Sequence, residues 1–223
     1  MKKIFVLMGL IVSACVCAQV KEGFVKYTMT IEGTAGTDMA KAMLGNSTIT
    51  IYFKNGKSLT DMKNPIFNTK TLLDNNGLLM LMEGANQKFY TRKTKAEIDQ
   101  EKAMKKNVVP SILFTQEKKK ILGYDCVKAT MTMSAINGKI PRMTMWYTDK
   151  IANLPTAIGP VDENMMSKLK GMVLEIDLAQ GNVNSKMVAT EVSSKPVSDA
   201  VFNVSTAGYT ERKMLPRAGA LPR

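Results

Sequence analysis

Methionine at every second position recurs three times in this 223-residue chain, as Met80-x-Met82, Met131-x-Met133 and Met143-x-Met145, and histidine is absent. Thioethers so spaced have two uses. An unbranched, polarizable side chain repacks around apolar ligands of irregular shape, and clustered sulfur atoms can hold copper(I). Soft-metal sites usually add Cys or His; here the cysteines are Cys15, Cys17 and Cys126, so no metal and no cofactor is assigned. Absence of imidazole also removes Ser-His-Asp and Cys-His nucleophile systems and every zinc site that needs a nitrogen ligand. The acidic pairs Asp162-Glu163 and Glu175-x-Asp177 suit a helix start and a solvent-facing strand. No Gly-rich phosphate loop, Gly-x-Ser-x-Gly elbow or Cys-x-x-Cys occurs, and the sequence reads as a non-enzyme with no catalytic residue.

Residues 1–18 have the order of a secretory leader: Lys2 and Lys3, an apolar run from Ile4 to Val12, then small residues to Ala18. The run is too short to span a bilayer. A cut after Ala18 would leave Gln19 as the mature N-terminus. The alternative is Val12-Ser13-Ala14-Cys15, which has lipobox character and would make Cys15 a lipidated first residue. Either route implies export to the periplasm, with outer-membrane association if Cys15 carries acyl groups. After the cut at Ala18, Cys126 has no intramolecular partner, and Tyr124-Asp125-Cys126-Val127 reads as a strand carrying a small buried hydrophobe.

Loss of Lys2 and Lys3 leaves 29 of the 31 basic residues against 19 acidic ones, a formal charge of +10. Such a surplus favours anionic partners, and export makes an anionic membrane surface a better candidate than nucleic acid. The 6% aromatic content gives no base-stacking platform. Lysine runs at Lys105-Lys106 and Lys118-Lys119-Lys120 read as solvated loops or helix ends.

These side chains need a sheet to position them. Asn55-Gly56 separates Ser47 to Lys54 from Lys57 to Lys63, Asn76-Gly77 precedes Leu78 to Glu83, Asn137-Gly138 divides Asp125 to Ile136 from Lys139 to Thr148, and Gly181-Asn182 divides Met172 to Ala179 from Val183 to Ser193. With Gly23 to Glu32, Phe67 to Leu73 and Lys88 to Arg92, about ten strands follow at meander spacing, so the sheet is antiparallel. Thr94-Lys95-Ala96-Glu97 has capping-box spacing for a helix to about Lys106; Thr37 and Asp162 could cap Asp38 to Leu44 and Glu163 to Leu169. Pro141 falls inside a proposed strand and suggests an edge or a bulge. The expected organisation is a leader over 1–18, one β domain over 19–214 and a flexible tail over 215–223.

Alternation assigns faces. One face would carry Val25, Tyr27, Met29 and Ile31; Ile49, Ile51 and Phe53; Leu78, Met80 and Met82; Val127, Ala129, Met131 and Met133; Met143, Met145 and Tyr147; and Met172, Leu174, Ile176 and Leu178. The other, with Thr28, Thr50, Lys128, Thr130, Glu175 and Asp177, would face water. Three short helices and the Asn107 to Lys119 stretch are the available covering for the apolar face. A curved sheet covered in that way leaves a cavity, whose lining would be Ile49, Ile51, Phe53, Met80, Met82, Met131, Met133, Met143, Met145, Leu174 and Ile176. The bland reading of the same residues is plain core.

The stretch Lys120-Ile121-Leu122-Gly123-Tyr124-Asp125-Cys126-Val127-Lys128, then Met145-Trp146-Tyr147-Thr148, Gly171-Met172-Val173-Leu174-Glu175-Ile176, and the closing Val201-Phe202-Asn203 and Gly208-Tyr209 resemble an exported domain-of-unknown-function family (DUF4412-like) related to the LolA/LolB-type lipoprotein carriers. The resemblance implies a mainly β, LolA-like fold, a curved antiparallel sheet forming an incomplete half barrel with a few short helices in its mouth. It also implies lipid or lipoprotein acyl chains as partners. No charged catch residue of a true carrier is assignable. The expected function is a non-catalytic envelope protein that binds a lipid-like or apolar ligand in a concave β-sheet cavity. The alternative is a structural or protein-interaction module of the periplasm or outer membrane with a self-filled core.

Overall fold

The computed structural model describes residues 19–33, 38, 41, 45, 47–104, 111–132, 141–153, 166, 168–180 and 183–213. Its strands are β1 (Glu22–Gly33), β2 (Thr48–Lys54), β3 (Lys57–Lys63), β4 (Phe67–Asp74), β5 (Gly77–Gly84) and β6 (Gln87–Thr94), followed by helix α1 (Lys95–Met104). Then come β7 (Ser111–Ile121), β8 (Tyr124–Thr132), β9 (Arg142–Thr148), β10 (Met172–Gln180), β11 (Val183–Ser193) and β12 (Thr210–Glu211). All twelve join one open, curved sheet in the order β12-β6-β5-β4-β3-β2-β1-β11-β10-β9-β8-β7. Pairing is antiparallel except for the parallel contact of β12 with β6.

Local chemistry explains the tight turns. Asn55 and Gly56 sit at φ 50° and 78°, the left-handed pair that matches strand twist in a two-residue hairpin. The Asn76-Gly77 expectation is off by one residue. Gly77 is already paired with Asp74, so the turn is Asn75-Asn76, capped by the Asp74 carboxylate accepting from the Asn76 N–H at 2.8 Å. Two further left-handed turns, Ala85-Asn86 and Leu122-Gly123, close β5–β6 and β7–β8. The capping box holds: Glu97 Oε2 accepts from Thr94 N at 2.7 Å, and Thr94 Oγ1 accepts from Glu97 N at 3.3 Å.

Four expectations need correction. Of the Asn107 to Lys119 stretch, the part from Ser111 onward is no cover: it lies in β7, the edge strand of the sheet, and residues 107–110 lie outside the described residues. Pro141 stands just ahead of β9, which starts at Arg142 and therefore keeps its ladder intact. In β10 a bulge puts Val173 opposite Tyr147 and Glu175 opposite Trp146, leaving Leu174 as the extra residue. Strict alternation from Met172 to Leu178 therefore fails, and Met172 through Ile176 are all buried. Finally, the outer face is not wet throughout. Leu59, Val197 and Phe202 form a second buried cluster with Tyr52, Leu72, Val201 and Val204, because the chain after β11 runs across β2–β4. Lys54 anchors that run, donating to Val197 O at 2.9 Å and pairing with Asp199 at 3.1 Å and Glu22 at 3.3 Å.

The leader, the tail from residue 214, the Asn137-Gly138 and Gly181-Asn182 turns, Met133, and most of the two helices expected at Asp38 to Leu44 and Glu163 to Leu169 lie outside the described residues.

Candidate functional site

The inner face divides into two halves that share one strand pattern and differ in burial. Over β1, β2 and β8–β11, Ile49, Ile51, Phe53, Met131, Met143, Met145, Leu174 and Ile176 meet in a single cluster with Val25, Tyr27 and Met187. Met131 and Met145 are 0% exposed and Met143 is 1%. Ile151, Met166 and Leu169 close on them. Tyr27 is fully buried, donating its hydroxyl to Val173 O at 2.7 Å, and burial drives its phenol far above the ordinary value. In this half the described inner-face side chains are buried in one cluster.

Over β3–β6 the same face is more open. Register places Ile51, Thr60, Thr71, Met80 and Thr91 in one row across five strands, and Ile49, Met62, Thr69, Met82 and Phe89 in the next. Met62, Met80 and Met82 are half-buried, as are Leu73 and Leu78. Thr60 is 6% exposed, and its Oγ1 is buried with no hydrogen-bond partner.

Two cavities open at the ends of these strands. One of about 420 Å³ lies between the β3–β4 connection and the Ala85-Asn86 turn, with Asn68, Asn86, Glu83 and Lys88 in its wall. The other, about 280 Å³, is lined by Leu78 and Lys93 from the inner face and by Leu72, Leu79 and Arg92 from the outer. Lys93 is engaged by Glu101 at 2.6 Å.

The outer face over β7–β10 is organised by charge. Glu175 is 7% exposed rather than solvated, paired with Lys119 at 2.7 Å and Lys186 at 3.3 Å. Burial alone would raise its carboxyl, but the hydrogen bonds and charges of Lys119 and Lys186 hold it below the ordinary carboxylate value. Asp177 shifts the other way, raised by desolvation and by the neighbouring Glu175 despite the charge of Lys186. Lys119 Nζ lies 4.4 Å from the Trp146 ring centroid and Lys128 Nζ 5.9 Å. A lone tryptophan between lysine-bearing strands is a sequence signal for this cluster, and alternation from Ile176 already placed Glu175 on its face; the ion pairs that bury Glu175 had no signal.

Cys126 is fully buried, and desolvation pushes its thiol up to about 11, so it stays protonated and unreactive at neutral pH. Among the described residues, no three His, Cys, Asp or Glu side chains converge where a metal ion would sit. Among them, no helix is long and apolar enough to cross a membrane.

Of the solved structures that match, PNGF-II is 17% identical with a TM-score of 0.47; the match covers 86% of this chain, which spans 31% of the length of that one. The Mycobacterium tuberculosis lipoprotein LppX matches at 8% identity and TM-score 0.36, over 79% of this chain and 89% of its own. LprF from Mycobacterium bovis matches at 16% and 0.35, over 80% and 89%. No curated protein matches the chain. The family model described as N-glycanase peptide, N-terminal domain, matches residues 58–214, from β3 through β12. That span contains the motifs from Lys120 to Tyr209, and the matching family is this one rather than the domain-of-unknown-function family those motifs resemble. The chain belongs to the N-glycanase peptide N-terminal domain family.

Proposed function

We propose that this chain is an exported, non-catalytic binding module that takes an apolar or lipid-like ligand on its inner face over β3–β6. One observation carries the reading: on a single continuous face, Met131, Met143 and Met145 are at most 1% exposed, whereas Met80 and Met82 stay half-buried. The buried methionines, with Ile49, Ile51, Phe53, Leu174 and Ile176, then serve as the wall, and Met80 and Met82 as the adaptable contact surface. Each methylene of an acyl chain buried there would contribute about 0.8 kcal/mol. Lys93, opposite Leu78 on this face and lining the 280 Å³ cavity, would exchange its Glu101 partner for an anionic headgroup. Export rests on the leader at 1–18, with Gln19 as the first mature residue or Cys15 as a lipid anchor; intact mass of the exported protein separates the two.

Native mass spectrometry of protein purified from the cell envelope tests the ligand. Lipid that copurifies, and is displaced by a fluorescent fatty acid, is the expected result. A protein free of lipid that binds no probe would favour the second reading, a protein-interaction module with a self-filled core, which the burial of the β8–β9 methionines supports.

A further inference from the structure

Among the described residues, three of the four exposed large hydrophobics lie at one edge of the sheet: Leu113 at 66%, Phe114 at 48% and, in the turn that follows, Leu122 at 47%. All belong to β7 or its hairpin, and β7 ends the strand order. A terminal strand offers unpaired backbone groups to any extended chain, and folded proteins normally guard it with lysines, bulges or a cover. Here the guard is uneven. Between Phe114, opposite Ala129, and Lys118, opposite Val127, the register breaks, so residues 115–117 form a bulge. Beyond it stand Lys118, Lys119 and Lys120. Before it, Ser111–Phe114 carries no charge and no bulge.

We propose that Ser111–Phe114 is a docking edge that receives an extended segment of a partner protein, one with an apolar residue facing Phe114 and an acidic residue facing Lys118. Phe114 and Lys118 share the inner face, since their row partners Met145 and Tyr147 are two residues apart on β9. Phe114 stands edge-on to Tyr147, with ring centroids 6.3 Å apart, which leaves a rigid aromatic shelf at the rim. Lys119 and Lys120 are occupied by Glu175 and Asp125, at 2.7 and 2.6 Å. Lys118 is exposed and has no ion-pair partner among the described residues, so it is the cation available to an incoming carboxylate. A second copy fits poorly. Two-fold antiparallel pairing along β7 would set the two bulges against each other and each lysine run against the uncharged Ile112–Phe114 of the other copy, on chains that each carry a large positive charge. Strand addition gives affinity through backbone pairing and selectivity through alternate side chains, which matches a short edge with one apolar and one charged subsite.

Fluorescence anisotropy of the full chain with labelled ten-residue peptides of alternating Val and Thr, carrying Glu or Lys at either end, tests this. The expected result is binding of a Glu-ended peptide, roughly fivefold tighter than its Lys-ended counterpart, with the order inverted by Lys118→Glu. Leu113→Lys and Phe114→Glu should abolish binding with the circular dichroism spectrum unchanged, and Leu113→Lys, at the more exposed position, should leave the thermal midpoint unchanged as well. N-methylation of alternate peptide bonds should also abolish it. Binding that survives N-methylation or Phe114→Glu overturns the proposal, as does failure of every peptide to bind. A chain found dimeric, and made monomeric by Leu113→Lys, would assign the edge to a second copy and overturn it as well.

Discussion

Lys119 on the edge strand β7 reaches across β8 and β9 to place its Nζ 2.7 Å from the Glu175 carboxylate on β10. The ammonium passes over the Trp146 ring on the way, so three otherwise unrelated side chains clamp the end of the sheet. Glu175 is the buried member, and its carboxylate stays charged because the two lysines outweigh its desolvation.

Glu175→Gln should therefore destabilise the fold by about 1–2 kcal/mol, the amide being unable to replace the charge-assisted bonds to the two partly exposed lysines. Urea unfolding checks the loss. Trp146 is the sole tryptophan, so its emission reports on this clamp directly and should shift in the variant.

The same pair has a pH signature. A carboxyl whose folded value is depressed contributes stability above its ordinary range and loses that contribution as pH falls through the folded value. The wild-type unfolding free energy should fall on acidification below the ordinary carboxylate range, and the slope should be shallower in Glu175→Gln. Asp177, raised by burial and by Glu175, titrates in the opposite sense and blunts part of the fall. Equal acid limbs in the two proteins would remove Glu175 from the clamp.

Turn chemistry gives a prediction of mixed sign. Asn55→Val should cost on the order of 1 kcal/mol, since a β-branched residue is strained at φ 50°. Ala85→Gly and Leu122→Asn should each gain up to about 1 kcal/mol, because Ala85 and Leu122 already sit at φ 47° and 50° without the side chains that favour it. Thermal midpoints of the three variants decide, and a drop in all three would show that side-chain contacts dominate these turns.

Methionine substitutions separate the halves of the inner face. Met131→Gln buries an unpartnered amide and should cost about 1–3 kcal/mol. Met80→Gln, at a half-buried position, should leave the midpoint near wild type while weakening a fluorescent fatty-acid probe. An unchanged probe affinity in Met80→Gln would locate the ligand elsewhere.

On the outer face, Phe202→Ala should cost about 3 kcal/mol, because its ring seals Leu59 beneath the chain that follows β11. Proteolysis after β11 should accelerate in this variant. No change in either measurement would mean that Lys54 and its partners hold the segment without the apolar cluster.

What the sequence determined by itself was local. Asn55-Gly56 announces its hairpin because only a few side chains tolerate left-handed backbone, and Thr94 with Glu97 announces α1 because the capping geometry lies within four residues. Alternation correctly put Ile51, Met80, Met131 and Met145 on one face, since the pleat enforces a period of two. It was silent on what covers that face. Met80 and Met145 have the same pattern, yet one is half-buried and the other sealed in a cluster with Ile151, Met166 and Leu169, which only the folded chain brings together. The Leu174 bulge was equally hidden, because one inserted residue leaves an apolar run that still reads as a strand. β7 was misread because an edge strand has one free side, so it tolerates the lysines that elsewhere mark a loop. The outer face was decided last of all, by Val197 and Phe202 packing on Leu59 from more than 130 positions away, an attraction set by proximity in space and carried by no local spacing.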